Sequence, residues 1–218
     1  MKKIKLFGLG LLLMSSTFSF GQKVLSEGTI VYDIVIQTQN KEPQMADALD
    51  GATSTVYLKG GLSRTTMVSA LGVESTIHNS QTGKAAILKE YSGQKLMITL
   101  TKENWESKNN KYEGVVFQTT KDTATIAGYV CVKATAKLKD GTNFTVYYTK
   151  DINVINKEYD QTFKDLPGLA MQYEYQIGKM IFKYTVSKID FNPVSSTLFE
   201  FPKSGYRVMT YEENQKKD

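Results

Sequence analysis

The stretch YVCVKATAKLKDGTNFTVYYT, Tyr129–Thr149, decides the fold class. Asp140-Gly141 lies between two alternating runs, Val130–Leu138 and Phe144–Thr149, which is the strongest short-range hairpin signal in the chain. In the second run Phe144, Val146 and Tyr148 point to one side, while Thr145, Tyr147 and Thr149 point to the other. Strands with one greasy and one wet face belong to antiparallel sheet, because a buried parallel strand reads as a continuous apolar run.

The same pattern continues in both directions. Leu169, Met171, Tyr173 and Tyr175 alternate with Gln172, Glu174 and Gln176. Beyond a turn at Gly178-Lys179, Met180, Phe182, Tyr184 and Val186 are opposed by Lys183, Thr185 and Ser187. Near the start, Ile30, Tyr32, Ile34 and Ile36 line one side of a strand, with Asp33 and Gln37 on the other. Further turns at Gly60-Gly61, Asn79–Gly83 and Ser92-Gly93 complete a meander of about nine or ten strands.

Three segments read as short helices: Lys41–Asp50, Thr101–Lys108 with Trp105 on a polar stretch, and Asn156–Lys164. The last carries Ile155, Tyr159 and Phe163 on one stripe and stops before Pro167-Gly168. All three are too short to be stable alone, so they are expected to pack on the apolar side of the sheet.

The N-terminus reads as an export leader over residues 1–21. Lys2, Lys3 and Lys5 precede the apolar run Leu6–Met14, and small Ser19 and Gly21 fit a cut that leaves Gln22 at the new end. The run is too short to span a bilayer, and the only cysteine, Cys131, is far from the cut, so lipid attachment there is excluded. The expectation is a periplasmic or secreted protein with no transmembrane segment in the mature chain. Residues 22–211 form one domain, followed by a polar tail, 212–218, that frays.

Composition excludes several classes. Of 218 residues 41% are hydrophobic and 22% charged, which describes a globular chain rather than a disordered one. Setting aside the leader lysines lowers the formal charge from +5 to about +2. Only Arg64 and Arg207 are arginines, and the lysines are scattered among acids, so nucleic acid is not an expected partner. One cysteine and one histidine supply neither a disulfide framework nor a zinc site. Cys131 reads as a buried inert thiol and His78 as a polar residue at a strand end. No nucleophile motif, calcium loop or phosphate loop is present. Glu174 and Asp190 are the available pair for glycoside chemistry, but both fall on wet faces or strand ends. The expectation is a protein that is not an enzyme, with no catalytic residue, cofactor or metal.

Three longer strings carry a resemblance. They are Ile126–Ala134 (IAGYVCVKA), Asp140–Thr149 (DGTNFTVYYT), and Leu166-Pro167-Gly168-Leu169 leading into Met171–Tyr175. Together with Val56–Lys59, Ser63-Arg64-Thr65 and Thr197–Pro202 they resemble an exported family, domain of unknown function 4412, over most of Gly28–Tyr211. That family neighbours one named for the string GLPGLI, matched here only at Leu166–Leu169. The resemblance implies a LolA/LolB-like fold, as in periplasmic lipoprotein carriers: mainly β (α+β), a curved antiparallel unclosed barrel with about three short helices on its concave side. It implies no established activity.

The tyrosines, phenylalanines and methionines allow two interiors. One is a tightly packed core with tyrosine hydroxyls at its wet edge. The other is a sheet curved around a cavity, lined by Tyr32, Ile34, Val146, Tyr148, Leu169, Tyr173, Phe182 and Tyr184 and covered by Asn156–Lys164. The second implies a lipid or other apolar ligand; the first implies an envelope structural or protein-interaction module.

Overall fold

The computed structural model describes residues 21–38, 51–139, 141–177 and 180–216. The expected leader and the expected helix Lys41–Asp50 lie outside the described residues. In chain order come β1 (Lys23–Leu25), β2 (Glu27–Thr38), β3 (Thr53–Lys59), β4 (Leu62–Ser69), β5 (Gly72–Asn79), β6 (Ala85–Tyr91) and β7 (Gln94–Leu100). Helix α1 (Lys102–Asn109) precedes β8 (Gln118–Ile126), β9 (Tyr129–Lys137), β10 (Asn143–Thr149) and β11 (Ile152–Val154). The chain ends in β12 (Leu169–Ile177), β13 (Met180–Asp190), β14 (Arg207–Thr210) and α2 (Tyr211–Gln215).

Twelve strands form one sheet in the order β14-β7-β6-β5-β4-β3-β2-β13-β12-β10-β9-β8. Every pairing is antiparallel except β14 on β7. The two ends of the sheet, β14 and β8, do not pair with each other, so it curves into an unclosed half-barrel. Strands β1 and β11 add a separate parallel ribbon, and the strand count exceeds that expected from turn signals.

Paired residues in the ladder share a face, so the register identifies the interior. Ile34 pairs with Tyr184, Tyr32 with Val186, Tyr184 with Tyr173, and Tyr173 with Val146. This is the inner face. Asp33 is exposed, and half-buried Lys183 sits opposite exposed Val35, so the opposite face of this half meets water. A bulge interrupts the β10–β12 ladder, pairing Tyr148 with Ala170 and Thr149 with Leu169. Strict alternation puts Ala170 on the outer face, but beyond the bulge it is buried.

The helices differ from expectation. Residues Asn156–Lys164 form only a single 3-10 turn, Lys157–Tyr159, followed by further turns. The reason is Asp160: its carboxylate accepts the Thr162 backbone N–H at 3.0 Å, and its backbone is extended, which ends helical growth. Tyr159, Phe163 and Leu166 still turn into the core, but Ile155, the first residue of the expected stripe, is exposed. The stretch expected to fray instead begins with α2, capped by Thr210 and Glu213. Gly168 does not need a positive φ; a side chain there would collide with the Thr149 carbonyl as β12 leaves the corner.

The residues from Phe191 to Tyr206 cross the outer face of β3–β7 as a strap. Val194, Phe199, Leu198, Phe201 and Tyr206 cover Ile77, Ala86, Leu88 and Met97. Lys59 Nζ donates to the Val194 carbonyl at 2.8 Å, and Arg64 Nη1 donates to the Leu198 carbonyl at 3.2 Å. Glu27 closes this corner by pairing with Lys59 and accepting the Val194 N–H at 2.8 Å.

Candidate functional site

The concave side of the half-barrel has two contrasting parts. Across β2, β13, β12 and β10 it is filled. Tyr173 stacks on Tyr184 with ring centres 4.9 Å apart and meets Tyr32, Tyr175 and Phe163 edgewise or tilted. Such aromatic pairs add roughly 0.5–1.5 kcal/mol each beyond their buried area. Tyr32 donates to the Ala170 carbonyl at 3.0 Å and Tyr175 donates to the Thr162 hydroxyl at 2.7 Å, so these hydroxyls are satisfied inside.

Asp160 lies in this tyrosine cluster. Burial pushes its carboxyl up to about 6, against hydrogen bonds from Thr162 and the Phe163 backbone that favour the ionised form. Burial first, and the Asp160 charge second, raise the hydroxyl pKa values of Tyr32 and Tyr175.

The eight residues expected to line a cavity are therefore brought together, mostly as a core. Tyr32, Val146, Tyr148, Leu169 and Tyr173 belong to one buried cluster, and Ile34 and Phe182 to a smaller one with Ala52. Half-buried Tyr184 packs against both. Only Phe182 and Tyr184 reach open space. With Met67, Leu71 and Tyr91 they line a groove of about 600 Å³ at one end of the inner face.

On β4 and β5 the inner face is largely polar. Ser63 pairs with His78, Thr65 with Thr76, and Glu74 with Lys89. Here α1 lies over the sheet. Its only large apolar residue, Trp105, packs on Ala85, Ile87, Ile98 and Leu100 and stacks on His78 with ring centres 4.3 Å apart. The sequence offered one weak signal of this contact: a lone tryptophan on a helix capped by Thr101 and Asn104 and otherwise polar. His78 is 3% exposed, and burial lowers its pKa from the ordinary histidine value.

Burial pushes the Cys131 thiol up to about 11, which keeps it unreactive. Glu174 is exposed and lies opposite Lys183 in the ladder, while Asp190 lies at the far end of β13 with its pKa lowered by the Asn192 backbone N–H. The sheet does not bring these carboxylates together. Among the described residues no group of His, Cys, Asp and Glu is placed to hold a metal ion, and no helix is long and apolar enough to cross a membrane.

No family model matches the chain, and no curated protein matches it in sequence, so the resemblance to the exported family rests on the quoted strings alone. Solved structures share its coarse shape. PNGF-II aligns over 88% of this chain with 13% identity and a TM-score of 0.49. This chain spans only about a third of PNGF-II, 33% of its length. An uncharacterised conserved protein from Thermus thermophilus aligns over 83% of this chain and 90% of its own, with 10% identity and a TM-score of 0.46. The Pseudomonas aeruginosa MucA/MucB complex gives 80% and 56% coverage, 9% identity and a TM-score of 0.41. At these values the likeness is one of strand arrangement, and no activity follows from it.

Proposed function

We propose that this is an exported, non-catalytic protein of the cell envelope, of the resembled family, which holds a lipid or other hydrophobic ligand on the inner face of its half-barrel. The groove bounded by Met67, Leu71, Phe182 and Tyr184 carries this reading, because it is the place where the aromatic interior opens outward. Its volume of about 600 Å³ suits a flexible apolar chain, within the roughly 300–1,000 Å³ of small-molecule sites. Methionine and leucine at the rim adapt to ligands of varied shape.

Native mass spectrometry of the protein taken from its own cell envelope tests this by weighing any retained ligand. A fluorescent fatty acid should also bind saturably, and Met67→Trp should weaken that binding while leaving the urea midpoint nearly unchanged. A second reading, an envelope structural or protein-interaction module without ligand, is favoured by the five expected lining residues sealed in the core cluster. Bare protein in the mass spectrum, together with no fatty-acid binding, would leave the second reading standing.

A further inference from the structure

Residues 156–166 close the inner face of the filled half, and their hydrogen bonds run mostly within the segment. The Tyr159, Phe163 and Leu166 N–H groups donate to the Asn156, Asp160 and Phe163 carbonyls, and Lys157 Nζ donates to the Leu166 carbonyl at 2.9 Å. Gln161 donates to Glu158, and the Thr162 N–H to the Asp160 carboxylate. Among the described residues, two hydroxyl bonds join the segment to the sheet: Tyr175 donates to Thr162, and Tyr159 bonds to the Tyr32 hydroxyl. The rest of its hold is apolar, through Phe163 on Tyr173 with ring centres 4.7 Å apart and through buried Leu166. A self-bonded loop of this kind can leave as a unit without breaking the ladder.

Two of its side chains are costly to keep inside. The Asn156 amide is buried with neither its oxygen nor its nitrogen paired, so it forgoes the hydrogen bonds that water would give it. The Asp160 carboxylate faces Tyr32 from β2, Tyr173 and Tyr175 from β12, Tyr184 from β13 and Tyr159 from its own segment. After burial itself, its charge helps to raise the pKa of each of these hydroxyls. Strand β4, which the 3-10 turn also approaches, carries Ser63, Thr65, Met67 and Ser69 on that side and no ionisable group. The segment's own lysines are engaged elsewhere: Lys157 on the Leu166 carbonyl, and Lys164 at a polar cleft of about 850 Å³ beside the segment. Ionised Asp160 therefore has hydrogen bonds but no counter-ion among the described residues. Tyr184 both lines the apolar groove and stacks on Tyr173, so the groove continues into the covered face.

We propose that residues 156–166 are a detachable cover, held shut while Asp160 is protonated and released when it ionises, so that the apolar ligand passes from the groove at Tyr184 onto the face beneath Phe163. This rests on the ligand-binding reading above and adds its regulation. Release uncovers Tyr173 and, with it, the aromatic cluster.

Amide hydrogen exchange, corrected for intrinsic rates, reads the opening. The Asp160 carboxyl titrates at about 6 when covered and near the ordinary 3.8 when released, so opening gains as pH rises between those values and levels off above them. Protection at the Phe163 and Leu166 amides should fall by about fiftyfold between pH 4 and pH 7. At pH 7 these amides should exchange at least about tenfold faster than amides in the middle of β2 and β12. Asp160→Asn should keep nearly the same Phe163 and Leu166 protection across that range, and an undiminished fall in this variant would overturn the role of Asp160. Flat protection in the unmutated protein, or protection equal to that of β2 and β12, would overturn the cover, and both can be read even where Asp160→Asn does not fold. A fluorescent long-chain alcohol, whose charge does not change with pH, should associate with the unmutated protein faster at pH 7 than at pH 4. Equal rates would overturn entry beneath the cover. The expected exchange with no alcohol bound at either pH keeps the cover and removes the ligand reading, whereas alcohol binding with flat exchange keeps that reading and removes the cover.

Discussion

Compare the inner face along β2, β13, β12 and β10 with the inner face along β3 to β7. The first presents Tyr32, Ile34, Tyr184, Tyr173 and Val146 and is packed shut by Tyr159, Phe163 and Leu166. The second presents Ser63, Thr65, Thr76 and His78 over a cleft, while its largest apolar cluster faces outward beneath the strap. Both are strands of one continuous sheet with the same two-residue period, yet the inner face turns polar on β4 and β5, and from β5 onward the outer face is apolar as well. Val56 and Leu58 on β3 still join the inner core, whereas Ile77 on β5 joins the outer cluster. A half-barrel can thus keep a filled interior at one side and a polar opening at the other, provided a second segment covers the apolar outer face.

The contrast breaks most visibly at Tyr173. Tyr173→Ala removes the ring that touches Tyr184, Tyr32, Tyr175 and Phe163, and should destabilise the fold by about 3–5 kcal/mol in urea unfolding. A loss below about 1 kcal/mol would show that the aromatic half is not a solid core.

Overpacking separates filled space from open space. Val146 is fully buried, so Val146→Trp should cost about 1–3 kcal/mol or more, whereas Met67→Trp at the groove should cost less than about 1 kcal/mol. Equal costs would mean that the groove closes in solution.

A pH series sharpens the comparison further, because the buried carboxylate at Asp160 belongs to the filled half. The folded pKa of Asp160 is raised to about 6 from the 3.8 of an unperturbed carboxyl, so the folded state holds this proton more tightly than the unfolded chain does. Its contribution to stability is therefore present at low pH and is lost as pH rises between those two values. Asp160→Asn removes the loss and keeps an oxygen for the Thr162 N–H. The variant should lie close to the parent near pH 4 and exceed it by about 3 kcal/mol above pH 6, measured by urea unfolding at each pH. The opposite trend runs through Glu27 and Glu90, whose pKa values are lowered chiefly by hydrogen bonds from Lys59 and Lys95, but those groups are common to both proteins and cancel.

Much of the architecture was legible. The hairpins at Gly60-Gly61, Ser92-Gly93 and around Gly141 fall where glycine allows the reversal, and the faces of β2, β10 and β13 follow from their alternation. Ala85-Ala86-Ile87-Leu88 even carries a trace of the second covered face: four consecutive buried residues are covered on both sides. The Asn156–Lys164 helix failed because periodicity registers the apolar stripe but not the competing hydrogen bond of Asp160. Of the candidate lining set, the sequence grouped the right residues on one face without indicating whether that face was full.

What the sequence determined alone is local: a pleat repeats every two residues, so strands, turns and the two sides of each strand can be read within a few positions. Only the tertiary structure decided which side is covered, because the covering segments come from far along the chain. Tyr32 is satisfied by the Ala170 carbonyl, 138 residues away, and Arg64 holds the Leu198 carbonyl of the strap across 134. His78 and Trp105 meet only because α1 folds back over β5. Burial is a property of such distant encounters, and no local period encodes it.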